Sequence, residues 1–259
     1  MSQIANTFYN LRILDEMARK KSLIHDIHPA IKVIVTAVFL VAVVSFERHE
    51  IIRLIPFLLY PVLIIVLSDL DFLPIFKRIL LIEPLILGIG ILNPIFEPVT
   101  GWMTFASIII KSNLTVTAAL LLFATTGMEN LGYALRVFKI PKVFVLQLQL
   151  TYRYISVLLE EFSITTRAYS LRAPGHKGIK ISSWGPLIGQ ILLRTFDRAT
   201  RVYQAMSLRG FEGEYNTGLA KRVSVKDFVY LFCWVGFIVI AVIFNIPLML
   251  GNIFMGVRF

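Results

Sequence analysis

The side chains best placed to do chemistry are arginines. Arg194, Arg198, Arg201 and Arg209 recur at helical spacing, and at roughly 100° per residue they fall within an arc of about 80° on one face. A guanidinium stays charged at any physiological pH and offers paired N–H donors to a carboxylate or phosphate. Such a stripe binds anions, either the acidic groups of a docked protein or the headgroups of a membrane surface, and the pattern alone leaves both open. Ile188, Leu192, Ala199, Val202 and Met206 step along a neighbouring face, so the helix is expected to bury one side and present guanidinium groups from the other.

Other candidates are weaker. His25 and His28 have the H-x-x-H spacing of a metal pair, but coordination normally takes three or four placed ligands, and two histidines before a first span read as surface residues. Lys111 stands inside an apolar run and is a functional candidate by that fact, with Glu97 as its partner, or else a packing or snorkelling lysine. The cluster Gly175-His176-Lys177-Gly178 lacks the spacing and hydroxyl of a phosphate loop, so this chain should not hydrolyse ATP. No nucleophile, acid–base pair or metal set converges in or beside the apolar runs, which disfavours a membrane-embedded enzyme. Cys233, the single cysteine, excludes an internal disulfide framework and reads, like Met249, as a lipid-facing or packing residue. Tyr152 and Tyr154 read as interface aromatics.

The elements that must position these groups are set by hydropathy. The chain has 57% hydrophobic and 16% charged residues and a mean hydropathy of +0.75, against about 25% charged in soluble domains. Its apolar residues form long runs rather than alternating patterns, the signature of a bilayer protein. Five spans are expected, at about 29–46, 51–67, 79–96, 103–126 and 228–250. Pro56 and Pro61 should kink the second. The third, with Glu83-Pro84, Gly88, Gly90 and Asn93-Pro94, should be irregular and packed against protein, since small residues permit close helix contact. The fourth carries the polar stretch Lys111, Ser112, Asn113, Thr115 and Thr117. No removable signal peptide is expected at the N-terminus.

Residues 127–227 are of another kind. They hold fifteen of the 26 Lys and Arg against seven Asp and Glu, a net +8 of the chain's +10. Positive charge collects on the cytoplasmic side, so this segment, and with four spans before it the N-terminus, is assigned to the cytoplasm and the C-terminus to the outside. Lys77 and Arg78 fall in an expected inner loop and residues 94–102 in an outer one without Lys or Arg. Three parts follow: 1–126 with spans one to four, 127–227 as a cytoplasmic helical domain, and 228–259 as the last span and tail. Val143 to Leu159, broken by Gln147, Gln149, Thr151, Tyr152 and Arg153, reads as a partly embedded amphipathic helix. After a loop at Pro174-Gly175, Ser182 or Ser183 is expected to cap, and Pro186 to open, a helix ending near Gly210.

The stretch LIGQILLRTFDRATRVYQAMSLRGFEG, Leu187 to Gly213, closely resembles the transmembrane T component of energy-coupling factor importers, in particular the CbiQ family associated with cobalt uptake. His28-Pro29-Ala30-Ile31-Lys32, Glu83 to Phe96, Lys111 to Thr126 and Tyr152 to Glu161 also look like that family, so the resemblance covers most of the chain. It implies an all-α integral membrane protein of about five transmembrane helices with two long amphipathic cytoplasmic coupling helices. Each coupling helix in that family ends in an X-Arg-X triplet whose arginine inserts into one subunit of a pair of ABC ATPases. The matching triplets are Leu171-Arg172-Ala173 and Leu208-Arg209-Gly210, the first departing by Ala173 where Gly is common, with Arg194, Arg198 and Arg201 as a supporting basic stripe. The resemblance further implies a substrate-binding membrane partner, the S component, that captures Co²⁺ or Ni²⁺; no cofactor bound by this chain, ATP being used by the partners; and residence in the inner (plasma) membrane of a prokaryote. A conventional ABC permease with its own path is the rival that composition leaves open, and the two arginine triplets are what discriminate against it.

Overall fold

The structure is a computed structural model, described here for residues 16–20, 22–48, 50–97, 100–172, 180–213 and 223–244. Among them every regular element is a helix: α1 (Pro29–Ser45), a 3-10 helix (Ile51–Leu58), α2 (Leu59–Ser68), α3 (Phe72–Gly90), α4 (Leu92–Phe96), α5 (Gly101–Val137), α6 (Lys142–Arg172), α7 (Ile181–Leu208) and α8 (Val225–Ile243). Four stretches, Ile51–Ser68, Phe72–Phe96, Gly101–Val137 and Val225–Ile243, are long and apolar enough to cross a membrane, and Pro29–Ser45 is a shorter apolar helix of 17 residues, at the lower bound of roughly 17 for a span. The protein is a multi-pass, all-α membrane protein.

The chain divides into two compact units, one built around Leu135–Leu219, the other of Ile13–Ala134 with Ala220–Phe259. In the second, the interior is aromatic. Phe39 stacks on Tyr60 at 4.4 Å between ring centroids, Tyr60 meets Trp234 of α8 edge-on at 4.7 Å, and Phe57 packs between Phe39 and Phe46. With apolar solvent outside as well as inside, burial of apolar area does little to hold helices together, and shape and interhelical hydrogen bonds must do more. The Thr36 and Tyr60 hydroxyls bond at 3.0 Å, and Arg53 reaches the Val242 carbonyl at 2.7 Å while pairing with Glu50.

At one end of this bundle polar groups close the helix termini. Asp227, 2% exposed, accepts from the Ser224 backbone N–H to complete a capping box at the start of α8, and its other oxygen accepts the His28 backbone N–H at 2.7 Å. His28, 3% exposed, accepts the Ala30 N–H on Nδ1 to cap α1. Buried Lys32 donates to the Thr125 carbonyl at 2.9 Å, just before α5 breaks at Gly127. There φ is +71°, and a Cβ would lie 2.9 Å from that of Ala18, so only glycine fits both the torsion and the space.

Several sequence expectations need correction. The third span begins at Phe72, so Lys77 and Arg78 lie within α3 rather than in a loop; Asp71 precedes the helix in extended conformation and starts it seven residues early. This span breaks as expected, at Ile91 between α3 and α4, but it is the least buried of the four: Gly88 meets nothing within 4 Å, and only Gly90 makes a close approach, to Phe105. The polar stretch in α5 is satisfied largely by its own helix, since Asn113, Thr115 and Thr117 return hydrogen bonds to the carbonyls of Ile109, Lys111 and Asn113. Lys111 donates to the Phe46 carbonyl at the end of α1, whereas Glu97 pairs with Arg48 and Thr100. The end of the last expected span, 245–250, lies outside the described residues.

The buried Asp227 carboxylate joins the starts of α1 and α8. Because hydrogen bonds to a charged acceptor are worth about 1.5 to 3 kcal/mol, Asp227→Ala is expected to destabilise the detergent-solubilised protein by at least that much, read as a lowered midpoint of thermal unfolding; Asp227→Asn, which keeps one acceptor, should lose less.

Candidate functional site

The two longest helices of the first unit are amphipathic and antiparallel. At 1.5 Å per residue the 31 residues of α6 extend about 46 Å and the 28 of α7 about 42 Å. Near their connection Tyr169 Oη and Ser183 Oγ lie 3.1 Å apart and Phe162 packs on Trp184; further along, Glu161 accepts from Arg194. From that pair onward both helices line a cavity of about 630 Å³, whose walls run from Leu146 to Glu161 on α6 and from Arg194 to Met206 on α7.

The arginine triplets sit at the two C-terminal ends. Leu171 and Arg172 are the last residues of α6, both exposed, and Ala173 lies outside the described residues. Leu208 ends α7, Arg209 is its C-cap, and Gly210 follows at φ +77°. The Gly210 N–H bonds to the Ser207 carbonyl and the Phe211 N–H to the Met206 carbonyl, each at 3.0 Å. That pair of bonds is a Schellman stop, which needs a left-handed residue after the cap. The glycine of the second triplet therefore ends the helix and fixes where Arg209 stands, and a guanidinium there also suits the negative end of the helix dipole. Leu171 is 76% and Leu208 89% exposed, so each tip shows an apolar side chain beside a cation. Since α6 and α7 run antiparallel, the two tips lie at opposite ends of the pair.

In the supporting stripe Arg194, Arg198 and Arg201 are all exposed; Arg194 pairs with Glu161, and Arg198 and Arg201 line the cavity. The apolar face is displaced. Ile188 and Leu192 are exposed, while Ala199, itself exposed, lies on the cavity wall with Thr195, Val202 and Met206, and Leu187 and Ile191 are half-buried. The cause is that α7 is apolar on two sides, which a single-face reading averages into one. The helix also begins at Ile181 after Lys180, so Ser182 and Ser183 lie in its first turn and Pro186 is its sixth residue, not its first; Pro costs one bond there, to the Ser182 carbonyl, close to an end where few are yet formed.

The histidine pair is occupied by backbone and hydroxyl groups. His25 Nδ1 lies 2.7 Å from Ser22 Oγ and Nε2 3.0 Å from the Met17 carbonyl, and burial together with the Lys32 charge holds its pKa below the usual histidine value. His28 is a buried helix cap, not a surface residue. Among the described residues no group of three His, Cys, Asp or Glu side chains converges.

Comparison with known proteins adds the following. The family model described as "CbiQ: Cobalt transport protein" matches residues 20–219. An uncharacterised protein of Methanocaldococcus jannaschii, MJ1571, is 24% identical over 239 residues, covering 84% of this chain and 81% of that protein. The nickel permease LarQ of Lactiplantibacillus plantarum is 25% identical over 122 residues, 47% of this chain and 45% of LarQ. A Ycf92-like protein of Nostoc is 37% identical over 93 residues, 34% and 30% of the two chains.

Replacing Gly210 tests the helix stop. A Cβ in the left-handed region costs about 1 to 2 kcal/mol, so Gly210→Ala is expected to speed amide exchange at Gly210 and Phe211 by about tenfold, whereas Gly210→Asn, which tolerates that region, should change it less. Equal exchange in all three proteins would show that the stop is held by something else.

Proposed function

The chain belongs to the CbiQ family of cobalt transport proteins, and on that footing we propose that it is the transmembrane coupling (T) subunit of an energy-coupling factor importer. In this reading a pair of ABC ATPases binds ATP and closes, the α6 and α7 helices tilt or slide with them, and a separate substrate-binding membrane subunit delivers the ion. The chain itself catalyses nothing and ATP belongs to its partners. The ion is Co²⁺ or Ni²⁺, supported by the family's description and by the name of one relative, a nickel permease.

The observation that carries the proposal is the pair of tips. Arg172 and Arg209 each end a long helix, each stands beside an exposed leucine, and they lie at opposite ends of an antiparallel pair. One groove on one protein could not take both; two ATPase subunits could take one each. A guanidinium flanked by an apolar side chain suits a groove that supplies a carboxylate and apolar walls. Rigid helices anchored at both ends pass on a change in the separation of their anchors as a rotation, a transition of known type.

Two measurements follow. Truncating one partner of a desolvated charge pair costs about 2 to 5 kcal/mol, so Arg209→Ala and Arg172→Ala should each weaken ATPase co-purification at least roughly thirtyfold, with Arg209→Lys recovering little because a lysine lacks the paired donors. Wild-type assembly and metal uptake in the double variant would overturn the assignment. The second is topological. With five spans and the basic segment inside, reporter tags are expected to place the N-terminus in the cytoplasm of a prokaryotic cell and the C-terminus outside; both ends on one side would mean that a helix assigned here as spanning does not cross, or that α6 does.

A further inference from the structure

The cavity between α6 and α7 is not needed by the two tips, and its walls are chemically mixed. Leu150 and Leu158 on α6 and Val202 and Met206 on α7 make it apolar, and its volume of about 630 Å³ falls within the roughly 300 to 1,000 Å³ of ligand pockets. The charged groups on its walls are Arg194, Arg198 and Arg201 against Glu161 and Asp197. Arg194 and Glu161 satisfy each other, which leaves two arginines facing one aspartate and the α7 wall net positive. An occupant must therefore be largely apolar and carry a negative charge at one side.

A second observation says where such an occupant comes from. On α7, Leu192, Leu193 and Phe196 are 65 to 73% exposed, away from the inward line of Ile191, Thr195 and Val202. A helix apolar on two sides with guanidinium groups between them is poorly solvated by water but well suited to lie in a membrane interface, its apolar side chains among acyl chains and its arginines at headgroup level. The chain enters this unit from α5 and leaves it into α8, both of span length, so the helices are covalently held near a bilayer. The surrounding amphiphile with an anionic head is a phospholipid.

We propose that the α6–α7 groove is a binding site for one anionic phospholipid, an acyl chain lying among Leu150, Leu158, Val202 and Met206 and the phosphate held by Arg198 and Arg201. The bound lipid fills the cavity that the two helices line, and its presence would set how far apart α6 and α7 stand. This is independent of ATPase docking: it concerns the middle of the helices, not their ends.

The test uses the full chain, purified in a neutral detergent and titrated with phosphatidylglycerol or phosphatidylcholine of matched acyl chains, with retained lipid counted by native mass spectrometry. The wild type is expected to hold one phosphatidylglycerol in preference to phosphatidylcholine. At roughly fivefold per arginine near a charged headgroup, Arg198→Gln with Arg201→Gln should cut that preference roughly thirtyfold, while the corresponding double lysine variant keeps most of it. Ala199→Trp, on the cavity wall, should lower retention of both lipids by filling the groove; circular dichroism and gel filtration verify that each variant is folded. Arg209→Ala should bind lipid as the wild type does, even if it loses the ATPases, so the failure of one idea is distinct from the failure of the other. Equal retention of the two lipids by the wild type, or an unchanged preference in the double glutamine variant, would overturn the proposal. So would displacement of the lipid by inorganic phosphate at millimolar concentration, which would make the site one for a free anion, or exclusion of lipid from the groove by a peptide segment bound in its place.

Discussion

A chain that crosses hydrocarbon must satisfy its backbone polar groups within its own helices, because no water is present to do it. The consequences of that constraint run through this structure. Where the helices break, they break at residues that make the break tolerable. Pro56 falls in a 3-10 segment instead of an α-helix, α5 bends at a glycine beside a buried lysine that takes the Thr125 carbonyl, and α1 ends with its Phe46 carbonyl held by Lys111. Each ammonium stands where a helix presents carbonyls that it cannot bond itself. The intramembrane lysine, a candidate for transport chemistry by its position, has a structural partner of this kind.

The same constraint separates the two units. In the bundle of Ile13–Ala134 and Ala220–Phe259, polar side chains serve to close helix ends and tie α1 to α8 through Asp227. In the unit around Leu135–Leu219, α6 and α7 hold one another with an ion pair, a hydroxyl pair and an aromatic contact, and between them they line a cavity. Leu171 and Arg172 at one tip and Leu208 and Arg209 at the other are exposed.

Much of this was legible from the residues. Long apolar runs located the segments Pro29–Ser45 and Ile51–Ser68 to within a residue and the starts of Gly101–Val137 and Val225–Ile243 to within three, and the change of composition at residue 127 coincides with the backbone break at Gly127. What misled was local. A basic pair, Lys77 and Arg78, reads as a loop by charge but lies in the early turns of α3, where long side chains can reach the interface. Pro186 reads as a helix start because its ring suits that position, but an interior proline near an end costs only one bond. The two-sided apolar character of α7 was hidden in a single periodicity, since Leu192 and Val202 were counted on one face and the structure parts them. Partners across sequence, such as Asp227 with His28 199 residues away, leave no mark in a single sequence. The helix end near Gly210 was legible: Gly after a long amphipathic run is the pattern of a helix stop, and the structure gives that glycine a positive φ.

The account's central claim is that two helix tips engage two different ATPase subunits, and site-directed cross-linking addresses it directly. With the single cysteine removed as Cys233→Ser, Leu171→Cys and Leu208→Cys are introduced one at a time, beside Arg172 and Arg209, and the assembled complex is treated with a short bifunctional thiol reagent against ATPases carrying a cysteine in the expected groove. The account predicts that each tip captures one ATPase subunit and that the double variant captures two on one chain. Capture of neither, or capture of a single subunit by the double variant, would contradict it.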